Sequence, residues 1–172
     1  DFFDHFIDDA VEADIDLFVL DDGWFGHRDS DNSSLGDWYV DKNKLPGGLT
    51  SLAEKVHAMG LKFGLWFEPE MISPDSDLFR THPDWCIHID GRTHIEGRNQ
   101  LILDLSRPDV CEYIYNALAD NLRTSGIDYV KWDMNRNFTN VGSALLPPER
   151  QKELPHRYML GLYSILERLI HD

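Results

Sequence analysis

The stretch Tyr129-Val130-Lys131-Trp132-Asp133-Met134-Asn135-Arg136 (YVKWDMNR) decides how this chain folds. Its first half has the aromatic and β-branched residues of a buried strand, yet it carries a lysine and a carboxylate two residues apart. Residues two apart share one face of a strand. Lys131, Asp133 and, if the extension continues, Asn135 therefore point the same way, while Val130 and Trp132 point oppositely and pack under helices. By themselves these residues fit two readings: a structural Lys-Asp pair at a strand end, or a reactive carboxylate kept ionised by a neighbouring ammonium.

Two upstream segments repeat the pattern. Asp16 to Leu20 (DLFVL) is a short apolar run closed by Asp21-Asp22-Gly23, and Lys62 to Phe67 (KFGLWF) is closed by Glu68-Pro69-Glu70. With Asp128 to Asp133 they make three short strands, each ending in carboxylates. Helical stripes alternate with them: Phe3, Phe6, Ile7 and Ala10 between about Asp1 and Ala13; then Leu49, Leu52, Ala53, Val56 and Met59 before a terminating Gly60; then Val110, Ile114, Leu118 and Leu122 up to Gly126; and Tyr158, Leu162, Ile165 and Leu169 between about Leu154 and Ile170. Ser106 is the expected N-cap of the third helix, with Pro108 in its first turn. Roughly Met71 to Leu105 reads as a long irregular insertion.

Alternating helices and strands indicate a parallel α/β sheet, doubly wound or a (β/α)8 barrel. A nucleotide-binding doubly wound sheet calls for a glycine-rich turn after its first strand, and no GxGxxG or GxxxxGK[ST] occurs. Barrel enzymes place their chemistry at the C-terminal strand ends, where this chain puts its acids. The expected fold is therefore part of a (β/α)8 TIM barrel. A whole barrel takes about 250 residues, against 172 here. Residues 1–172 are read as a single partial catalytic domain with about three parallel strands and four helices. The absence of an initial Met agrees with an excised piece of a longer protein.

Composition narrows the partners. Hydrophobic residues make up 42% and charged residues 27%, the balance of a globular domain. A formal charge of −15 argues against a nucleic-acid partner, since a phosphate backbone requires a Lys/Arg surface. No apolar run is long enough for a membrane span. Cys86 and Cys111 are too few and too far apart for a disulfide framework or a zinc knuckle. They are read as reduced thiols, and the expected location is cytoplasmic.

The strand-end residues admit both structural and chemical roles. Asp21 and Asp22 before glycine are either turn residues or acceptors for sugar hydroxyls. Trp66 is in phase with Gly64 and Glu68; its indole suits the C–H face of a pyranose or simply the core. Glu68 and Glu70 are expected to partner Arg or Lys behind the site. Arg98 lies in the insertion, where most arginines are solvated. His57, His82, His88, His94, His156 and His171 have unrelated spacings, with no HxH or HExxH, and GxSxG is absent. Neither a metal nor another cofactor is expected; a carboxylate-held divalent metal is the alternative chemistry for the same acids.

At this point "LFVLDDGWFGHR", "LGDW", "GLWFEPEM", "HPDW", "LILDLSRP", "YVKWDMNR" and "HRYMLGLY", in this order, resemble the catalytic barrel of glycoside hydrolase family 36 α-galactosidases. The resemblance runs over nearly the whole chain. It implies retaining hydrolysis of terminal α-galactosides of the melibiose and raffinose type, with Asp133 as nucleophile. It further implies that Lys131, Asn135, Asp21, Asp22, Trp66 and Arg98 contact the galactose. By the same resemblance the chain lacks the first strand and the C-terminal half of the barrel; the family's acid/base lies on a later strand, beyond Asp172, so the isolated chain is expected to be inactive and the full-length protein, expected to be a homo-oligomer, active. The alternatives are a related transglycosylase or α-N-acetylgalactosaminidase, or a half-barrel that binds carbohydrate without catalysis.

Overall fold

The computed structural model describes residues 2–89, 91–139 and 141–172. Three parallel strands form one sheet: β1 (Leu17–Leu20), β2 (Lys62–Phe67) and β5 (Tyr129–Trp132), in the order β1-β2-β5. Helix α2 (Gly48–Ala58) links β1 to β2, and α4 (Pro108–Ser125) precedes β5; α1 (Phe2–Glu12) and α5 (Leu154–His171) flank the sheet at either end of the chain. This is a strand-helix segment of a barrel wall, as the alternation predicts.

Register explains how one sequence builds two faces. Val19, Gly64 and Tyr129 are paired across the three strands, as are Leu20, Leu65 and Val130; beyond them Trp66 pairs with Lys131 and Phe67 with Trp132. A Cβ on Gly64 would meet Val19 at 3.0 Å and the Tyr129 ring at 3.1 Å. The inner face is thus layered, with Val19, Gly64 and Tyr129 below, Trp66 and Lys131 next, and Glu68 and Asp133 above. The opposite face carries Phe63, Leu65 and Phe67, all fully buried. Against it pack Leu49, Leu52 and Val56 of α2 and Val110, Ile114 and Leu118 of α4, all members of one apolar cluster. Removing a Leu-sized side chain of this kind from water contributes about 1.5–3 kcal/mol.

Helix ends follow local chemistry. Gly60 (φ 82°) and Gly126 (φ 64°) take the left-handed conformation just after α2 and α4, which costs glycine nothing sterically. Two expectations are corrected here. Ser106 is not the N-cap of α4: Arg107 holds that position without a side-chain cap, and Ser106 Oγ donates instead to Asp104. Met59 lies outside α2 and is 46% exposed.

The insertion is also more regular than its sequence suggests. It contains strand β3 (Met71–Ile72) paired antiparallel with β4 (Leu101–Ile102), the short helix α3 (Asp77–Thr81) and a 3-10 turn at Pro83–Trp85. Asp37 of the LGDW motif fixes α3, its two carboxylate oxygens accepting the N–H groups of Asp77 and Leu78 at 2.9 Å each. No described helix is long and apolar enough to cross a membrane. Both cysteines are free, and burial pushes the Cys86 and Cys111 thiols up to about 12 and about 11.

Candidate functional site

The C-terminal ends of β1, β2 and β5 converge on Asp133. Its Oδ2 accepts two side-chain hydrogen bonds, from Trp66 Nε1 at 3.0 Å and Asn135 Nδ2 at 2.8 Å, and Oδ1 accepts the Met134 backbone N–H at 2.9 Å. Partial burial disfavours the charge. The three donors, aided by the Lys131 charge, outweigh it and hold the Asp133 carboxyl below its ordinary value. The group is therefore an ionised carboxylate with defined orientation at the open end of the strands.

Lys131 is on the same side, as its spacing predicts, but it is not the direct partner of Asp133. Its Nζ donates to Asp21 Oδ2 at 2.6 Å, and this bond raises the lysine pKa against partial desolvation. The salt bridge is open to solvent, with side chains 44% and 58% exposed. Asp22 has a different cation. Arg28, only 4% exposed, grips it through Nε and Nη2, both at 2.9 Å, and anchors its own Nη1 on Ser33 O at 2.8 Å. Asp21 and Asp22 are adjacent in sequence, yet each is held by a separate basic group.

Trp66 enters the site by its edge. The ring is only 2% exposed and stacks on Phe25, with centroids 6.1 Å apart and planes 13° apart. Trp38 meets it edge-on at 6.3 Å, and Trp24 donates its indole N–H to Trp66 O at 2.9 Å. The turn-rich loop after β1 thus folds four bulky side chains, Trp24, Phe25, Leu35 and Trp38, into the core. The faces of the Trp66 ring are covered, and its N–H is what the site receives.

Glu68 and Glu70 diverge from the expectation of arginine or lysine partners. Glu68, 1% exposed, accepts the Asn135 backbone N–H at 2.6 Å on Oε1 and the Gln100 amide at 3.3 Å on Oε2. Burial raises its pKa, and the Asp133 charge adds to the rise, against the opposing pull of Asn135. Glu70 accepts Trp132 Nε1 at 3.0 Å and the Tyr158 hydroxyl at 2.6 Å, which ties β5 to α5. Neutral donors satisfy both acids.

Arg98 sits apart from this cluster. The backbone N–H and C=O groups of Gly97 and Gln100 exchange hydrogen bonds at 3.1 Å, and Arg98 (φ 54°) and Asn99 (φ 57°) form the turn between them. Two successive left-handed residues define a type I′ turn, which favours Asn and Gly and strains an arginine. Arg136 braces this turn, donating from Nη1 to Ile95 O and to Gln100 O. Of the seven residues selected from the sequence, Asp133, Trp66, Asn135, Lys131 and Asp21 are brought together at the strand ends, with Asp22 beside them. Arg98 is exposed on the braced turn.

Arg28, Glu68, Gln100 and Arg136 complete the arrangement. Glu68 carried a signal in its phase with Trp66; Arg28 and Arg136 close the LFVLDDGWFGHR and YVKWDMNR motifs with no role drawn from them, and Gln100 lies in a loop without periodicity. Among the described residues, no group of three or more His, Cys, Asp or Glu side chains is arranged to hold a metal ion.

Comparison with known proteins places this geometry in context. The melibiase family model matches residues 1–172. The chain is 59% identical over 160 residues to α-galactosidase AgaA of Geobacillus stearothermophilus, and the alignment covers 93% of this chain and 22% of that protein. It is 56% identical over 163 residues to α-galactosidase 1 of Pediococcus pentosaceus, covering 95% and 22% respectively. The crystal structure of the Geobacillus family 36 enzyme in complex with raffinose matches with a TM-score of 0.93 at 56% identity, over 96% of this chain and 23% of that one. An α-galactosidase from Thermus thermophilus in complex with p-nitrophenyl α-D-galactopyranoside matches with a TM-score of 0.71 at 30% identity, over 96% and 32%. The chain therefore spans about a fifth of the length of the curated relatives it matches.

Proposed function

This chain belongs to the melibiase family, and on that premise we propose that it forms the part of a retaining α-galactosidase that carries the nucleophile and much of the galactose pocket. The observation that supports this most is the state of Asp133: ionised, oriented by Trp66 and Asn135, and open at the strand ends. A carboxylate in that condition can attack an anomeric carbon.

In the proposed reaction Asp133 forms a bond to the anomeric carbon as the glycosidic C–O bond breaks, giving a galactosyl-aspartate. The departing oxygen takes a proton from a second carboxyl. That same group then deprotonates water, which releases galactose with retained configuration. In retaining enzymes the two carboxyl groups stand about 5–5.5 Å apart. The other strand-end acids are committed: Asp21 to Lys131, Asp22 to Arg28, Glu68 to the Asn135 N–H and Glu70 to Trp132 and Tyr158. The proton donor is assigned to a later strand of the full-length protein.

Asp21 and Asp22 each keep a solvent-facing part, at 58% and 38% side-chain exposure, and serve as acceptors for galactose hydroxyls. Lys131, Asn135 and the Trp66 edge line the pocket, and Arg98 reaches toward it from its exposed turn when sugar binds. The substrates proposed are α-galactosyl oligosaccharides, in keeping with relatives crystallised with raffinose and stachyose. The test uses the full-length protein and a slow 2-fluoro-galactosyl substrate, followed by peptide mass mapping. The label is expected on Asp133, and a label on any other residue would overturn the assignment.

A further inference from the structure

Asp133 and the insertion turn that bears Arg98 come from segments more than thirty residues apart, yet one buried side chain touches the neighbours of both. Glu68 Oε1 accepts the backbone N–H of Asn135 at 2.6 Å, and the side chain of that same Asn135 donates to Asp133 Oδ2 at 2.8 Å. Glu68 Oε2 accepts from Gln100 at 3.3 Å, and Gln100 closes the 97–100 turn through paired backbone bonds at 3.1 Å. The residue after Asn135 returns to the same turn, where Arg136 Nη1 donates to Ile95 O at 3.0 Å and also to Gln100 O. Glu68 and Gln100 are each 1% exposed, so water does not compete for these contacts.

The geometry points to Glu68 as a positioning residue that locks the Asp133–Asn135 segment to the Arg98 turn. This inference rests on the α-galactosidase reading above. Glu68 does not touch the reacting atoms; both of its oxygens are turned to protein. A carboxylate accepting a backbone N–H makes a short, charge-assisted bond. Because it holds the main chain rather than a rotatable side chain, it fixes where Asn135 aims. Misplacing a reacting group by about 1 Å can cost roughly a hundredfold in rate.

The test compares E68A and E68Q in the full-length protein, with D133N as control. E68A removes both bonds and should lower kcat roughly a hundredfold. E68Q keeps an oxygen for the Asn135 N–H. Its new amide can also face Gln100 Oε1, which is buried without a hydrogen-bond partner among the described residues. It should therefore recover kcat to within about tenfold of the unmodified protein. The loss in E68A should fall on kcat with KM little changed, a split that a merely structural role would not produce.

E68A with kcat within twofold of the unmodified protein overturns the proposal, as does E68Q no better than a folded E68A. If E68A is too unstable to assay, the isosteric E68Q decides, and a folded E68Q with kcat more than about tenfold below the unmodified protein overturns the proposal. Full activity in D133N would instead remove the underlying reading, so the two failures are distinguishable.

Discussion

Replacing Trp66 with phenylalanine isolates the hydrogen bond that most directly holds Asp133. The substitution keeps an aromatic ring against Phe25 and deletes the indole N–H, 3.0 Å from Asp133 Oδ2. A hydrogen bond to a charged group contributes about 1.5–3 kcal/mol. Asp133 is only half-buried and water can replace the lost donor, so the lower figure applies, about a tenfold effect. The sign follows from the direction of the shift. Asp133 is held below its ordinary pKa, so its ionised form is present above that depressed value and is lost as pH falls through it. Removing a donor to the ionised form moves the loss to higher pH. The acidic limb of the kcat/KM profile of the full-length enzyme should therefore shift upward. Activity on the acid side should fall about tenfold more than on the plateau. The smaller ring also leaves space in a 2%-exposed site, which should lower stability by about 1–3 kcal/mol. Profiles against an activated α-galactoside, with denaturant melts alongside, separate the two effects. An acidic limb that stays in place, or moves downward, refutes the claim that the indole keeps Asp133 ionised.

Three further changes probe other parts of the site. Arg28→Lys keeps a cation but loses the two-pronged grip on Asp22; KM should rise about tenfold with kcat less affected, as steady-state kinetics will report. Tyr158→Phe removes the 2.6 Å bond to buried Glu70 and should cost about 1–3 kcal/mol in urea unfolding. Gly161→Ala in α5 places a methyl group in hard contact with Leu105 O and 3.0 Å from Cys111 Sγ. Despite the better helix propensity of alanine, stability should fall by about 2 kcal/mol, measurable by the same unfolding assay.

Much of the fold is legible in the sequence because each major element carries its own periodic signal. Lys62–Phe67 is a strand at both of its predicted ends, and α4 stops at Gly126 where a left-handed residue is needed. The insertion is less legible. Its strands, Met71–Ile72 and Leu101–Ile102, are two residues each, too short for alternation to register. The loop after β1 misleads for the opposite reason. Its glycines and acids read as solvent-facing turn residues, while Trp24, Phe25, Leu35 and Trp38 between them are core. Register is what most affects the site. Along one strand, residues two apart are separated by nearly 7 Å, which suggested Lys131 as the charge nearest Asp133. Pairing across strands instead lets the long lysine side chain pass Trp66 and reach Asp21, a contact that no local pattern encodes.

That redistribution of charge bears on what Asp133 can do. Had Lys131 been locked to it, the carboxylate would be ionised but engaged, and attack would require breaking a strong ion pair. Here the cations are assigned to the flanking acids, Lys131 to Asp21 and Arg28 to Asp22, while Asp133 is steadied by an indole, an amide and a backbone N–H. Two of these three bonds fall on Oδ2 and one on Oδ1. Neutral donors favour the ionised form and set its direction without neutralising it. The Lys131 charge still acts through space. An arrangement of this kind suits the nucleophile proposed for Asp133: the donors would stabilise the carboxylate as leaving group, and no salt bridge would have to be rebuilt in each cycle.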